Sequence, residues 1–257
     1  MATYKKKGYK KEKKKAEELD YLVNEGESTT AEVFSSLDES ASKMELFIEK
    51  NQKWIFAGLI AIIVAVGAYM LYDANIVKPK EQEAADNLVK AQEYFDKALT
   101  ENDDKIALEN FDKALNGADG KFGFKQVAEK FSGTKAGNLS NYYMGMIYLK
   151  KGEFKDAVSY LSKFKGDDDI LQPTALGAIG DAFLELEQNA DALSYYEKAA
   201  TASDNTFTSP KYYLKAGKLA LEMGDKTKAK KYFVIIKENY PKSNEAKDID
   251  IFIAQAE

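Results

Sequence analysis

Apolar residues fall into two patterns along this chain. From Trp54 to Tyr72 they are nearly continuous, and WIFAGLIAIIVAVGAYMLY runs nineteen residues without a charge. At about 1.5 Å of rise per residue, a helix of that length crosses a hydrocarbon core about 30 Å thick. Lys53 and Asp73 bracket the run, and Trp54, Tyr69 and Tyr72 stand near its ends, where amphipathic rings favour the headgroup region. A buried core helix is the alternative that the length argues against. A cleaved signal peptide is disfavoured too, because 53 residues precede the run and Tyr72 would fill the upstream small-residue position of a cut after Ala74. Within the run Gly58, Ala61, Ala65 and Ala68 recur at steps of three and four, forming a narrow face where a second helix can approach closely.

The second pattern begins beyond Pro79. Apolar and small residues there recur at helical spacing, broken by short turns such as KKGEF, GDDDI and MGDKT, which predicts helical hairpins and an all-α fold. The hairpins repeat. Gly145, Tyr148, Ala157, Leu161 and Phe164 stand 3, 9, 4 and 3 residues apart, and the same ladder returns as Gly180, Phe183, Ala192, Tyr196 and Ala199. It returns again as Gly217, Ala220, Ala229, Phe233 and Ile236, with Pro241 in the closing position. A looser copy uses Ala91, Tyr94, Ala107, Phe111 and Ala114, with extra residues in the turn TENDD. A ladder of this kind at a period of about 34 residues marks a tetratricopeptide array, here expected as a right-handed superhelix behind a single transmembrane helix. FGFKQVAEKF predicts an additional helix ending at SGTKAG, and a last helix from about Asn244 to Ala256 is expected to cap the open end.

Ahead of the anchor, Thr29 with Glu32 fits a capping box and predicts a helix start. Phe34, Leu37, Ala41, Met44 and Ile48 follow as one apolar stripe, suited to the bilayer surface or to a partner. The expected organisation is therefore a tail over residues 1–53, a transmembrane helix over 54–72, a connector over 73–83 and the repeat domain over 84–257.

Charge sharpens the picture only at one end. The first fifteen residues hold eight lysines against the single acid Glu12, a cluster suited to anionic lipid headgroups or to the ribosome, or simply to setting topology. Lysines near the anchor are tied, with Lys43, Lys50 and Lys53 before it and Lys78, Lys80 and Lys90 after it. The basic tip breaks the tie and predicts a cytoplasmic amino terminus with the repeat domain on the other side. Beyond residue 53 the chain has 26 lysines and 31 acids, which argues against a nucleic-acid-binding main domain.

Candidate chemistry is narrow. Without cysteine, histidine or arginine, the usual zinc sites, thiol nucleophiles and imidazole triads are unavailable, so an enzyme is disfavoured and no cofactor or metal is expected. Asp167, Asp168 and Asp169 lack the glycine and distal glutamate of a calcium loop, and a solvated turn is the better reading. First helices of such hairpins line a groove, which points to Tyr142, Met146 and Leu149, then Asp181 and Leu184, then Leu214, Lys218 and Leu221 as candidate protein-binding residues.

Over nearly its whole length the chain resembles the YfgM-like tetratricopeptide proteins of bacterial inner membranes, especially their relatives in Bacteroidetes. The order of tail, anchor, PKEQEAA connector and FSGTKAGNLSNYYMGMIYLKKGEF carries the resemblance, and SGTKAGNL is its most family-like piece. It implies an array in the periplasm that associates with the SecYEG translocon and a PpiD-like chaperone and assists unfolded export clients. Repeat motifs alone imply none of these partners. The alternative is a structural scaffold of an envelope assembly or secretion complex.

Overall fold

The computed structural model describes residues 29–257, with side chains described at position 37 and from position 40 onward. The lysine-rich tip and the side chain of Phe34 in the predicted stripe lie outside what is described. No strand occurs among the described residues. The chain divides into two units, Met1–Tyr69 and Met70–Glu257.

In the first unit the predicted tail helix and the anchor are not separate elements. Both belong to α1, Thr29–Tyr72, a single helix of 44 residues. Nothing between Thr29 and Ala57 breaks it, since that stretch holds neither glycine nor proline. Its apolar side chains are bare: Trp54 is 80 % exposed, Ile63 68 % and Leu71 67 %. A core helix would have hidden them, so α1 carries a candidate membrane span, long and apolar enough to cross a bilayer.

Residues after Tyr72 remain helical. A π turn, Asp73–Val77, leads without a break into α2, Lys78–Thr100, whose second residue is Pro79. Then come α3 (Asp104–Asn116), α4 (Phe124–Lys130), α5 (Lys135–Lys150), α6 (Phe154–Leu161), α7 (Leu171–Glu185), α8 (Asn189–Thr201), α9 (Thr208–Glu222), α10 (Lys226–Asn239) and α11 (Ile249–Gln255). Side chains cap several starts: Asp103 accepts from the N–H groups of Lys105 and Ile106, Thr134 from Gly137, and Asp225 from Lys228.

Helices α5–α6, α7–α8 and α9–α10 form three hairpins that close alike. The N–H of Glu153 bonds back to the carbonyl of Tyr148, Gln188 to Phe183, and Asp225 to Ala220. This bond ends a helix when the residue before the donor is left-handed. Gly152 and Gly224 take that role with φ of 75° and 82°, but in the middle hairpin Glu187 takes it with φ of 58°.

The predicted ladder is the packing seam. A Cβ on Gly145 would strike Leu161, one on Gly180 the ring of Tyr196, and one on Gly217 the ring of Phe233. Each glycine lets the second helix of its hairpin approach until a large side chain fills the gap, and Leu161, Tyr196 and Phe233 are all 2 % exposed or less. The first copy departs from the pattern. Tyr94 is only half-buried, and Phe95 enters the core instead, its ring against Phe111, Phe124 and Tyr143. Tyr94 instead donates its hydroxyl to Asp119.

The capping helix is shorter than expected. It starts at Ile249 rather than near Asn244: Ser243 accepts the N–H of Ala246 on its hydroxyl as a helix cap does, but the backbone bonds that follow, Ala246 to Ser243, Lys247 to Asn244 and Ile249 to Ala246, close three-residue turns instead of a helix. The helix that follows buries Ile249 and Ala256 and sets Phe252 against Phe233, ring centres 5.4 Å apart.

Candidate functional site

Helix α7 touches α5 on one side and α9 on the other, so the first helices of the three hairpins form one continuous face. All eight predicted groove residues lie on these helices. The structure separates them by how much surface they leave free. Tyr142, Met146 and Leu149 are half-buried, with the Tyr142 ring against those of Tyr143 and Phe164 and the other two packed into the core beside Leu161. Burial pushes the Tyr142 phenol above its ordinary range. Leu214 and Leu221 pack against the core of the last two hairpins. Leu184, 37 % exposed, and Lys218, exposed with its ammonium 4.8 Å from the centre of the Phe252 ring, are the two whose surfaces face solvent.

Asp181 joins a polar cluster. Its carboxylate accepts from the Tyr196 hydroxyl of α8 at 2.6 Å and from the Lys215 ammonium of α9 at 2.5 and 2.8 Å. Burial, then the hydrogen bond to Asp181, raises the Tyr196 phenol well above the usual tyrosine range, so at neutral pH it is a donor. One carboxylate thus ties together both helices of one hairpin and the first helix of the next. Sequence reading missed Tyr196 and Lys215 as its partners, although Asp181 and Lys215 are 34 residues apart, about one repeat.

The same logic recurs along the array. Tyr232 of α10 donates to Glu197 of α8, and Tyr240 donates to Asp204 at 2.6 Å. Tyr212 of α9 stands on Gly177 of α7, where a Cβ would overlap its ring. Burial pushes its phenol up to about 12.

A second surface lies at the loops. Asp168 accepts from the N–H groups of Ile170 and Leu171 and so starts α7, while Asp169 receives the hydroxyl of Ser203 and, on its carbonyl, the Asn205 amide. The acidic turn is therefore occupied with capping and bridging. These bonds hold the α6–α7 and α8–α9 loops together, and the pair displays Phe207, 66 % exposed, and Ile170, 40 % exposed. Sequence reading did not single out either residue. A recess of about 570 Å³ also opens between α2 and α5, lined by Ala85, Leu88, Ala136 and Leu139 together with Lys78, Glu81, Gln82 and Lys135.

Among known proteins, two stretches match the tetratricopeptide repeat family, residues 173–206 and residues 212–243. No curated protein matches the chain significantly. The matched stretches coincide with α7–α8 and α9–α10, whose glycine-against-ring seams were described above, so these two consecutive hairpins are tetratricopeptide repeats.

Proposed function

We propose that this protein is a membrane-anchored interaction module whose array binds segments of other proteins, acting as an ancillary subunit of the Sec translocon. In this reading residues 1–53 are the cytoplasmic tail, 54–72 the span, 73–83 the connector and 84–257 a periplasmic array. That array assists newly exported proteins together with a PpiD-like chaperone. The observation that carries the general role is the union, in one chain, of a bare apolar helix and tetratricopeptide hairpins, a fold that exposes long helical faces for partner peptides or helices. The translocon assignment is supported by the resemblance centred on SGTKAGNL, and the orientation by the eight lysines of the first fifteen residues. Affinity capture of the full chain from detergent-solubilised membranes is expected to recover the SecY channel. Repeated recovery of other partners without that channel overturns the assignment.

The scaffold reading is favoured by a separate observation, the Phe207 and Ile170 edge, which is fixed by loop-to-loop bonds and suits a folded partner. A photo-crosslinker at Lys218 and another at Phe207 separate the two. Many unfolded clients at Lys218 support the translocon role, whereas one dominant adduct at Phe207 supports the scaffold.

A further inference from the structure

Helix α1 carries an apolar seam that begins in water and continues into the bilayer. Leu37, Ala41, Met44 and Ile48 follow one another at steps of four, three and four, and Leu37, Met44 and Ile48 are 57, 64 and 49 % exposed. The same alternation runs on through Asn51 to Ile55, Gly58, Ile62, Ala65 and Tyr69. Between residues 40 and 53 the chain has five charges, Lys43, Glu45, Glu49, Lys50 and Lys53, and none falls on the seam. A strict seven-residue repeat of this kind is the pattern of helices that pair with a left-handed twist.

Lipid does not account for the first half. Leu37 precedes Trp54 by 17 residues, so in a continuous helix it lies on the order of 25 Å beyond the bilayer edge. Folding the tail down onto the headgroups would require a sharp bend before Trp54, and sharp bends come from proline, glycine or a break in the hydrogen-bond ladder. The helix has none of these between Thr29 and Ala57. A protein helix laid along the seam would cover Met44 and Ile48 and, entering the membrane beside α1, Ile55 and Ile62 in the same register, leaving Leu46 and Phe47 outside the contact.

We infer that the occupant is a second copy of this chain, paired with the first through α1 in parallel and in register. A second copy has a seam of the same length and phase, crosses from water to lipid at the same residue, and points the same way. Isoleucine recurs every seventh residue at Ile48, Ile55 and Ile62, the β-branched choice that favours two strands, while Gly58 and Ala65 alternate with it and allow close approach inside the bilayer. Asn51 stands on the seam just before the span. In the single chain its amide donates to the Phe47 carbonyl at 2.8 Å, and across an in-register pair it faces its own counterpart, whereas a shifted register sets the amide against an apolar side chain with no partner. Ten seam positions on each of two helices hide on the order of 1,600 Å² in total, the size of a standard specific interface.

The inference rests on the anchor reading, which alkaline extraction of the wild-type chain tests separately: the protein stays in the membrane pellet if that reading holds. For the pair itself, the chain contains no cysteine, so single substitutions report without background. Met44→Cys and Ile48→Cys, placed in the full chain in native membranes and mildly oxidised, are expected to give disulfide-linked dimers several-fold more than Leu46→Cys and Glu49→Cys. Adding Gly58→Leu and Ala65→Leu is expected to lower the yield at position 48 several-fold. Equal yields at all four positions, no dimer at any of them, adducts only with another protein, or a yield at 48 that ignores the two leucines each overturn the inference.

Discussion

Glu187 occupies a backbone position that its sister hairpins give to glycine, and a left-handed φ costs a residue with a Cβ about 1–2 kcal/mol. Glu187→Gly relieves that cost while adding some unfolded-state freedom, so the repeat domain is expected to gain ~0.5–1 kcal/mol, read as a higher urea midpoint at unchanged slope. At Gly217 the sign reverses. Any Cβ there meets the ring of Phe233, which is fully buried and has no room to retreat, so Gly217→Val is expected to cost on the order of 2–3 kcal/mol in the same titration. Tyr212 adds a pH dependence. Its folded pKa, pushed up to about 12, lies above the ordinary value of 10, so the folded state favours the protonated phenol. That stabilisation is complete below pH 10 and is lost as the pH climbs toward 12. Tyr212→Phe is expected to flatten the fall in melting temperature across that window and to leave the neutral range with its own, pH-independent offset.

At the scale of elements, the sequence made legible whatever rests on a contact that repeats. The three ladders fell in register because each glycine must sit one helix away from the large residue it admits, and that spacing is visible without coordinates. Features that no repeat carries were not visible. The three-residue turns between Ser243 and Ile249 occur once, and the entry of Phe95 rather than Tyr94 into the core rests on rings brought from three other helices, Phe111, Phe124 and Tyr143. The candidate groove was legible as a face but not as a surface: helical spacing names Met146 and Leu214, yet only tertiary packing shows that they are half-hidden while Leu184 and Lys218 remain open. The same packing makes α11 a working part of the last repeat. It buries Ile249 and sets Phe252 on Phe233, so a chain ending at Asp248 is expected to lose amide-exchange protection first and most strongly in α9 and α10. Protection in α5 and α6, which α11 does not touch, is expected to be unchanged.

At the scale of the whole molecule, one chain carries two opposite arrangements of its apolar side chains. In α1 apolar side chains face outward, whereas the unit from Met70 to Glu257 buries its own from Ala84 at one end to Ala256 at the other. Contacts among the described helices of the array join near neighbours in sequence, which is how a stack of hairpins builds a core without any help from a distant segment. If that core is self-sufficient, the array does not need the anchor to fold. A chain starting at Lys78, with Pro79 already placed for a helix start, is expected to be soluble without detergent, predominantly helical by circular dichroism and cooperative on heating, while the full chain sediments with membranes. A fragment that aggregates or melts without a transition defeats this account, because it shows that the first hairpin draws its stability from α1 and that the water-soluble half is not a unit in its own right.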